Sequence, residues 1–433
     1  MHTEDIEIRA KTPDAGQKYL AILASGGPAP GINGVISAAT IESIEHGWRV
    51  LGIMDGFKHL SKGDISHTMP LFIQDVSRIH FKGGSILRTS RENPTKEDKK
   101  INNVIESLLK LNVDKLITIG GDDTAFTASI ISKESKGKIR VVHVPKTIDN
   151  DLPLPENKST FGFQTARHFG VEIVQNIMED AITTNRWYFI VTMGRKAGHL
   201  ALGIGKAAGV TLTIIAEEFT EKTTSLSKIA DIIEGSIIKR FASGKEHGVV
   251  VLAEGLSEKL DPTDKHLVDV ERDEHGNIRF SEIDLGKALK EIIRKRLEAK
   301  GIKITVVDKD IGYELRCASP IPFDCEYTRD LGYGASKFLQ SGGSGAMVCL
   351  QGGVIKPIYF PDILDPKTGK TKIRFVDITT ESYCVARHYM IRLEKNDFEN
   401  KKQLARLAET AKMSPEEFVK QYGWQVKDSQ CRS

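Results

Sequence analysis

DKLITIGGDDT (114 to 124) and RVVHVPKTIDND (140 to 151) share one build: an apolar run, a glycine or proline break, then paired carboxylates. Apolar runs of this length, each closed by a turn signal, read as strands covered on both faces. INNVIESLLKLNV (101 to 113) precedes the first of them with a helical apolar period. Helix, strand and charged turn in succession predict a parallel sheet whose ligands bind beyond the carboxyl ends of its strands.

The pattern extends in both directions. KYLAILAS (18 to 25) is a strand ending in Gly26-Gly27-Pro28-Ala29-Pro30-Gly31, ahead of the helical stretch INGVISAATIESIEHG. Further strands are expected at 186 to 193, TLTIIAE (211 to 217), GVVVLAEG (248 to 255), KITVVD (303 to 308) and GAMVCLQGG (345 to 353). SKIADIIEGSIIKRFA and LGKALKEIIRKRLEAK supply helices, and Ser414-Pro415-Glu416-Glu417 is a capped helix start. This many strands suggest more than one sheet. The charged run 256 to 282 reads as a surface excursion.

With 433 residues, two or three domains are expected. Sixty-one Lys and Arg against 58 Asp and Glu leave a net charge of +3, too small to argue for nucleic acid or an anionic membrane as partner. No apolar run approaches the roughly 20 residues of a membrane span. The amino terminus lacks a signal-peptide pattern, and the closing Cys-Arg-Ser is no organelle address, so the expected location is cytoplasmic. Five cysteines without a CxxC pair suggest neither a disulfide scaffold nor a thiolate zinc site, and they are expected to stay reduced.

The turns carry the chemistry. Glycines at 26, 27 and 31 permit close backbone approach, and amides opening the next helix can hold a phosphate, although a plain tight connection has the same look. Asp122 and Asp123 repel each other unless one holds Mg²⁺, a hard cation that engages phosphate oxygens; an Asx turn is the bland reading. In the third turn a carboxylate, Asp149 or Asp151, can take the proton of an attacking hydroxyl, and Lys146 offers a point charge to a polyphosphate. Arg88, Arg91, Arg186, Arg195 and Arg316 surround these turns with positive charge. HExxH, GxSxG and Walker A sequences do not occur, which counts against zinc peptidase, serine hydrolase and P-loop chemistry.

SGGPAPGIN, GGSILRTSR, GGDDT, PKTIDND, MGR and AEG, in this order between about residues 18 and 375, resemble the phosphofructokinase family. The resemblance implies an α/β protein of two Rossmann-like three-layer domains with mostly parallel sheets and the active site in the cleft between them. It also implies Mg²⁺-dependent phosphoryl transfer to the 1-hydroxyl of fructose 6-phosphate. Asp149 resembles the family's base, Thr147 its neighbour at the transferring phosphoryl group, Asp151 a supporting carboxylate and Asp122 the metal organiser. Arg91 resembles a donor-phosphate ligand, in a donor set with Gly27, Gly121, Asp123, Thr124 and Lys146. Met193, Gly194 and Arg195 resemble the element around the sugar phosphate, and Glu254 the carboxylate on sugar hydroxyls. Arg186 and Arg316, with Tyr313 nearby, look like ligands of the 6-phosphate, one of them contributed across a subunit interface. A homodimer or homotetramer is therefore implied. Cys325 stands where nucleotide-using members have an arginine, so that phosphate clamp must be rebuilt.

The donor turns on Asp123. ATP-using relatives commonly carry glycine there; a carboxylate would collide with and repel an inner nucleotide phosphate. With Lys146 it resembles the pyrophosphate-dependent branch, with ATP the alternative donor and a phosphate-ester hydrolase a more distant one. The expected domains are an extension at 1–16, a donor domain at 17–162 with a returning segment at 324–375, and a fructose 6-phosphate domain at 163–323 with the segment 376–433.

Overall fold

The computed structural model describes residues 18–267, 283–365, 371–426 and 431. The extension at 1–16 and most of the charged excursion lie outside them. Twelve strands are found among the described residues: β1 (Tyr19–Ala24), β2 (Arg49–Ile53), β3 (Thr68–Leu71), β4 (Val113–Gly120), β5 (Arg140–Thr147), β6 (Phe161–Gly162), β7 (Trp187–Thr192), β8 (Leu212–Ile214), β9 (Gly248–Ala253), β10 (Val306–Ile311), β11 (Ala346–Gln351) and β12 (Val354–Tyr359). The chain divides into two compact units, residues 1–166 with 313–374, and 167–312 with 375–433. The second crossing falls at 312/313, so Tyr313 and Arg316, expected in the sugar domain, belong to the first unit.

The first unit is built on one sheet in the order β12-β11-β5-β4-β1-β2-β3, with β6 added to β5. Its central pairs are parallel, and the antiparallel pairs β2–β3 and β11–β12 close the two edges. Successive residues of β1 point to opposite faces, and all six are buried, as a strand covered on both sides requires. On one face Tyr19, Ala21 and Leu23 pack with Val104 and Leu108 of helix Asp98–Lys110 and with Ala125 and Ala128 of helix Asp122–Glu134. The other carries helices Ile32–Glu45 and Pro322–Gln340, which pack closely on each other. Any β-carbon at Gly34 would lie 2.1 Å from Thr328 Oγ1, and Ser43 and Ser336 hydroxyls meet at 2.8 Å. Three layers result.

The second unit has the parallel sheet β10-β7-β9-β8. Phe189, Leu212, Val250 and Leu252 are buried with Ile229, Ile233 and Ile237 of helix Leu226–Ala242 and with Leu289 and Ile293 of helix Leu285–Ala299. The strand expected at 303 to 308 is displaced to Val306–Ile311, aligned residue for residue with β7. Ser414 caps helix Pro415–Tyr422 in a reciprocal box with Glu417.

The expectation of wholly reduced cysteines is corrected: Cys384 and Cys431 form a disulfide. Their separation of 47 residues, with no motif around either, left the pairing without a sequence signal. No helix among the described residues is long and apolar enough to cross a membrane.

Candidate active site

Strand register brings the three charged or glycine-rich turns of the first unit to one level. Ala24 of β1 pairs with Ile119 of β4, and Ile119 pairs with Val144 of β5. The turns beginning at Ser25, Gly120 and Pro145 therefore leave three adjacent parallel strands side by side. Gly120 has no room for a side chain, because a β-carbon would sit 2.2 Å from Thr124 Oγ1. Asp122 and Asp123 then open helix Asp122–Glu134, where the positive end of the helix dipole favours carboxylates. Asp122 is half-buried and Asp123 exposed, while Thr124 is buried.

Lys146 is 4 % exposed, and its ammonium donates to the Gly27 carbonyl of the first turn. That turn docks on the loop bearing Arg88 and Arg91: Gly26 N donates to Ser90 O at 2.8 Å and Thr89 Oγ1 to Gly26 O at 2.6 Å. Arg316 reaches the same place, a guanidinium nitrogen lying 3.1 Å from where a Gly27 β-carbon would be, while its plane rests over the Tyr313 ring.

In the third turn Asp149 N donates to Thr147 Oγ1 at 3.0 Å, fixing the threonine hydroxyl beside the half-buried carboxylate. Asn150 adopts φ 58°, a left-handed conformation that Asn tolerates better than most residues. Thr160 N donates to Asn150 Oδ1, and Thr160 Oγ1 to Thr147 O at 2.7 Å. Arg374 latches the loop: its guanidinium donates to Asn150 O, Asn150 Oδ1 and Lys158 O, and its amide to Asp151 O. Sequence reading missed Arg374, since an arginine in the unremarkable run KIRFVD, 224 residues from Asn150, carries no local signal.

Two more groups escaped notice. Asp324 is fully buried and accepts from Gly162 N, Thr165 N and Thr165 Oγ1 at 2.6 to 2.9 Å, holding the start of helix Phe163–Thr184. Burial raises its carboxyl above the ordinary range, against the lowering effect of those three donors. His143 of β5 lies in the core below the turns, its Nδ1 2.9 Å from Thr118 Oγ1. Burial, with the nearby Lys146 charge, depresses the imidazole to about 3. Cys325 is a neutral thiol, pushed up by burial and by the Asp324 carboxylate, with Sγ 3.3 Å from Pro320 O.

The second unit gathers MGR and AEG at the carboxyl ends of neighbouring strands, since Thr192 pairs with both Ala253 and Ile311. Glu254 Oε2 accepts from Gly194 N and Arg195 N at 3.1 Å each, binding the two turns together. The turn is tight: Arg195 has φ 49°, and a β-carbon at Gly255 would stand 2.7 Å from Arg195 O. Gly312 makes room for Met193, whose Cγ would be 2.3 Å from an added β-carbon. A further carboxylate there, Asp310, is raised by burial and by Asp284, Asp308 and Glu254. Arg186 lies elsewhere. It precedes β7, at the amino end, and the six residues of that strand span about 20 Å before Met193.

Charged turns grouped by register at the carboxyl ends of parallel strands, in each of two units, define an α/β protein of the kind that binds its ligands at strand ends. Residues 19–339 match the family model described as Phosphofructokinase, and the chain belongs to that family. It is 56 % identical over 409 residues to the pyrophosphate--fructose 6-phosphate 1-phosphotransferase of Thermotoga maritima, covering 93 % of this chain and 97 % of the relative. A protein of the same name from Naegleria fowleri is 51 % identical over 417 residues, 94 % of this chain and 95 % of the relative. The solved structure of phosphofructokinase from Saccharomyces cerevisiae shares the fold, with a TM-score of 0.63 at 18 % identity over 94 % of this chain, which spans 50 % of the yeast chain's length.

Proposed function

We propose that this protein transfers a phosphoryl group reversibly from pyrophosphate to the 1-hydroxyl of fructose 6-phosphate, giving fructose 1,6-bisphosphate and phosphate. The names of both relatives support this reading. The observation that carries the donor choice is an exposed carboxylate, Asp123, at the start of the second turn, together with a buried ammonium, Lys146, that donates to the Gly27 carbonyl of the first. The carboxylate repels a nucleotide's inner phosphate, whereas the lysine charge suits a compact two-phosphate donor.

Asp149 takes the proton of the 1-hydroxyl as its oxygen forms the new P–O bond and the anhydride bond to the leaving phosphate breaks. In reverse the protonated Asp149 returns that proton. Thr147, positioned by the Asp149 amide, contacts the phosphoryl group in flight, and Asp151 supports the loop. Gly27, Gly121, Thr124 and Arg91 border the donor phosphates, with Arg316 and Tyr313 beside the same turns. Met193, Gly194, Arg195 and Glu254 hold the sugar phosphate.

The hard oxygen donors at the end of β4 fit Mg²⁺ rather than a softer ion, and Asp122, half-buried behind two glycines, is the residue that would hold it. When bound it supplies neutralisation of phosphate charge. Arg186, on the wrong end of its own strand for the sugar site, serves the site of a second copy, which makes the working form a homo-oligomer.

Offering pyrophosphate and ATP separately, with fructose 6-phosphate and Mg²⁺, tests the proposal. Turnover with pyrophosphate, and release of pyrophosphate from fructose 1,6-bisphosphate and phosphate, is expected. Fast turnover with ATP alone would replace the donor, and phosphate release without a sugar product would replace the reaction.

A further inference from the structure

In the second unit, residues 218 to 232 and 378 to 431 supply the walls of a cavity of about 160 Å³, to which no residue of the turns just described contributes. A dry cavity of about 150 Å³ is enough to take up a benzene ring. Phe219, which follows β8, and Ile232 of helix Leu226–Ala242 are each 6 % exposed and form an apolar side. Tyr383 of helix Glu381–His388 and Trp424 of the turn Gly423–Val426 add aromatic walls. That helix is fastened at three points. Thr380 caps it by accepting from Tyr383 N, the Lys206 ammonium donates to Ser382 O and Oγ at 2.9 Å each, and Cys384 is bonded to Cys431 in the cavity wall.

Three cations and two carboxylates also face this space. Arg392, 4 % exposed, spends its fork on Glu218: Nη1 donates to Oε2 at 2.6 Å and Nη2 to Oε1 at 3.0 Å, with Thr213 O accepting a further bond at 2.5 Å. Lys228 is committed likewise. Its ammonium donates to the two Glu221 oxygens at 2.8 and 2.6 Å and lies 5.1 Å from the centre of the Trp424 ring. Arg387 is the exception. Among the described residues its half-buried guanidinium makes no hydrogen bond or ion pair, and Glu218 and Glu394 attract it only from beyond that reach. Burial, with the Arg392 charge beside it, lowers this guanidinium below its ordinary range. An arginine stays charged inside a protein, so one positive charge is left uncancelled among aromatic walls.

We propose that this cavity binds an aromatic monocarboxylate, with the carboxylate in the fork of Arg387 and the ring against Phe219, Ile232 and Trp424. A planar guanidinium meets a carboxylate through two parallel hydrogen bonds, and ring-lined walls favour a flat apolar body. The charge count selects the head group. One negative charge balances the single cation left over, whereas a phosphate dianion would exceed it while Lys228 and Arg392 stay with their own carboxylates. The site is independent of the phosphoryl-transfer residues.

The test titrates the full-length protein, its disulfide intact, with phenylacetate and follows heat and tryptophan fluorescence. One saturable site per chain is expected. Phenylacetamide, acetate and phenyl phosphate, which lack the charge, the ring or the charge match, are expected to bind at least about tenfold more weakly. R387M, which keeps an apolar stem, is expected to lose at least about tenfold in affinity for phenylacetate. Of Trp48, Trp187 and Trp424 only the last lines the cavity, so W424F is expected to keep the heat signal and lose the fluorescence change. Far-ultraviolet spectra report the fold of each variant, and the comparison of ligands on the wild type stands even where a variant does not fold. Equal affinity in wild type and folded R387M, phenylacetamide or phenyl phosphate bound as tightly as phenylacetate, a fluorescence change that survives in W424F, or no saturable binding at millimolar phenylacetate overturns the proposal.

Discussion

Asp123 adds a β-carbon and a negative charge at a point where glycine would leave a gap. Two like charges 4 Å apart repel by about 4 kcal/mol at an effective dielectric of 20, enough to exclude a donor outright. Replacing Asp123 and Lys146 together by glycine is expected to admit ATP at a measurable rate and to weaken pyrophosphate use. Unchanged donor preference in steady-state assays would remove this account. His143 makes a different prediction. Its ordinary value is 6.5 and burial depresses it to about 3. Between those values the unfolded chain takes up a proton that the folded chain refuses, so stability falls as pH falls through the window. The slope is about 1.4 kcal/mol per pH unit well inside it. H143Q, which keeps an amide for Thr118, is expected to flatten that part of the profile. Urea unfolding of both proteins at pH 7 and pH 5 measures the difference, and identical slopes would contradict it.

Helix Phe163–Thr184 begins on a carboxylate delivered by another helix. Asp324 satisfies two amides and a hydroxyl that have no access to water. D324A strands all three and is expected to cost about 2–4 kcal/mol in a denaturant titration, while a loss within about 0.5 kcal/mol would show that the helix start needs no such partner. Elements like β4 and β5, with apolar runs broken by GGDD and PKTIDND, were readable because burial and turn chemistry are written locally. The short edges were not. Arg49–Ile53 and Thr68–Leu71 are five- and four-residue pieces, and Val354–Tyr359 is largely exposed, so neither length nor hydrophobicity announces them. The site divides similarly: charged turns at strand ends can be read, whereas the Arg374 latch and the Asp324 cap depend on residues 159 to 224 positions apart.

For the molecule as a whole, the position of Arg186 bears on assembly. Its own strand carries it about 20 Å from Met193, and the function proposed above has it serve the sugar site of a second copy. D149N alone is expected to lower turnover by at least about 10²-fold while fructose 6-phosphate still binds. R186A alone is expected to raise the KM for fructose 6-phosphate. Unfolding the two variants together and refolding them is expected to restore part of the activity that neither has by itself, through sites combining an intact Asp149 with an intact Arg186. A mixture no more active than the sum of its parts would place Arg186 in the service of its own chain.

The Arg374 latch also has a history in the making of the protein. Asn150 leaves the ribosome 224 residues before the guanidinium that secures its backbone. Throughout that interval the carboxylates of the turn exist without the guanidinium that fastens their loop in the finished protein. A chain that stops short of Arg374 lacks the guanidinium that secures the Asn150 backbone, even though every carboxylate of these turns has already been made.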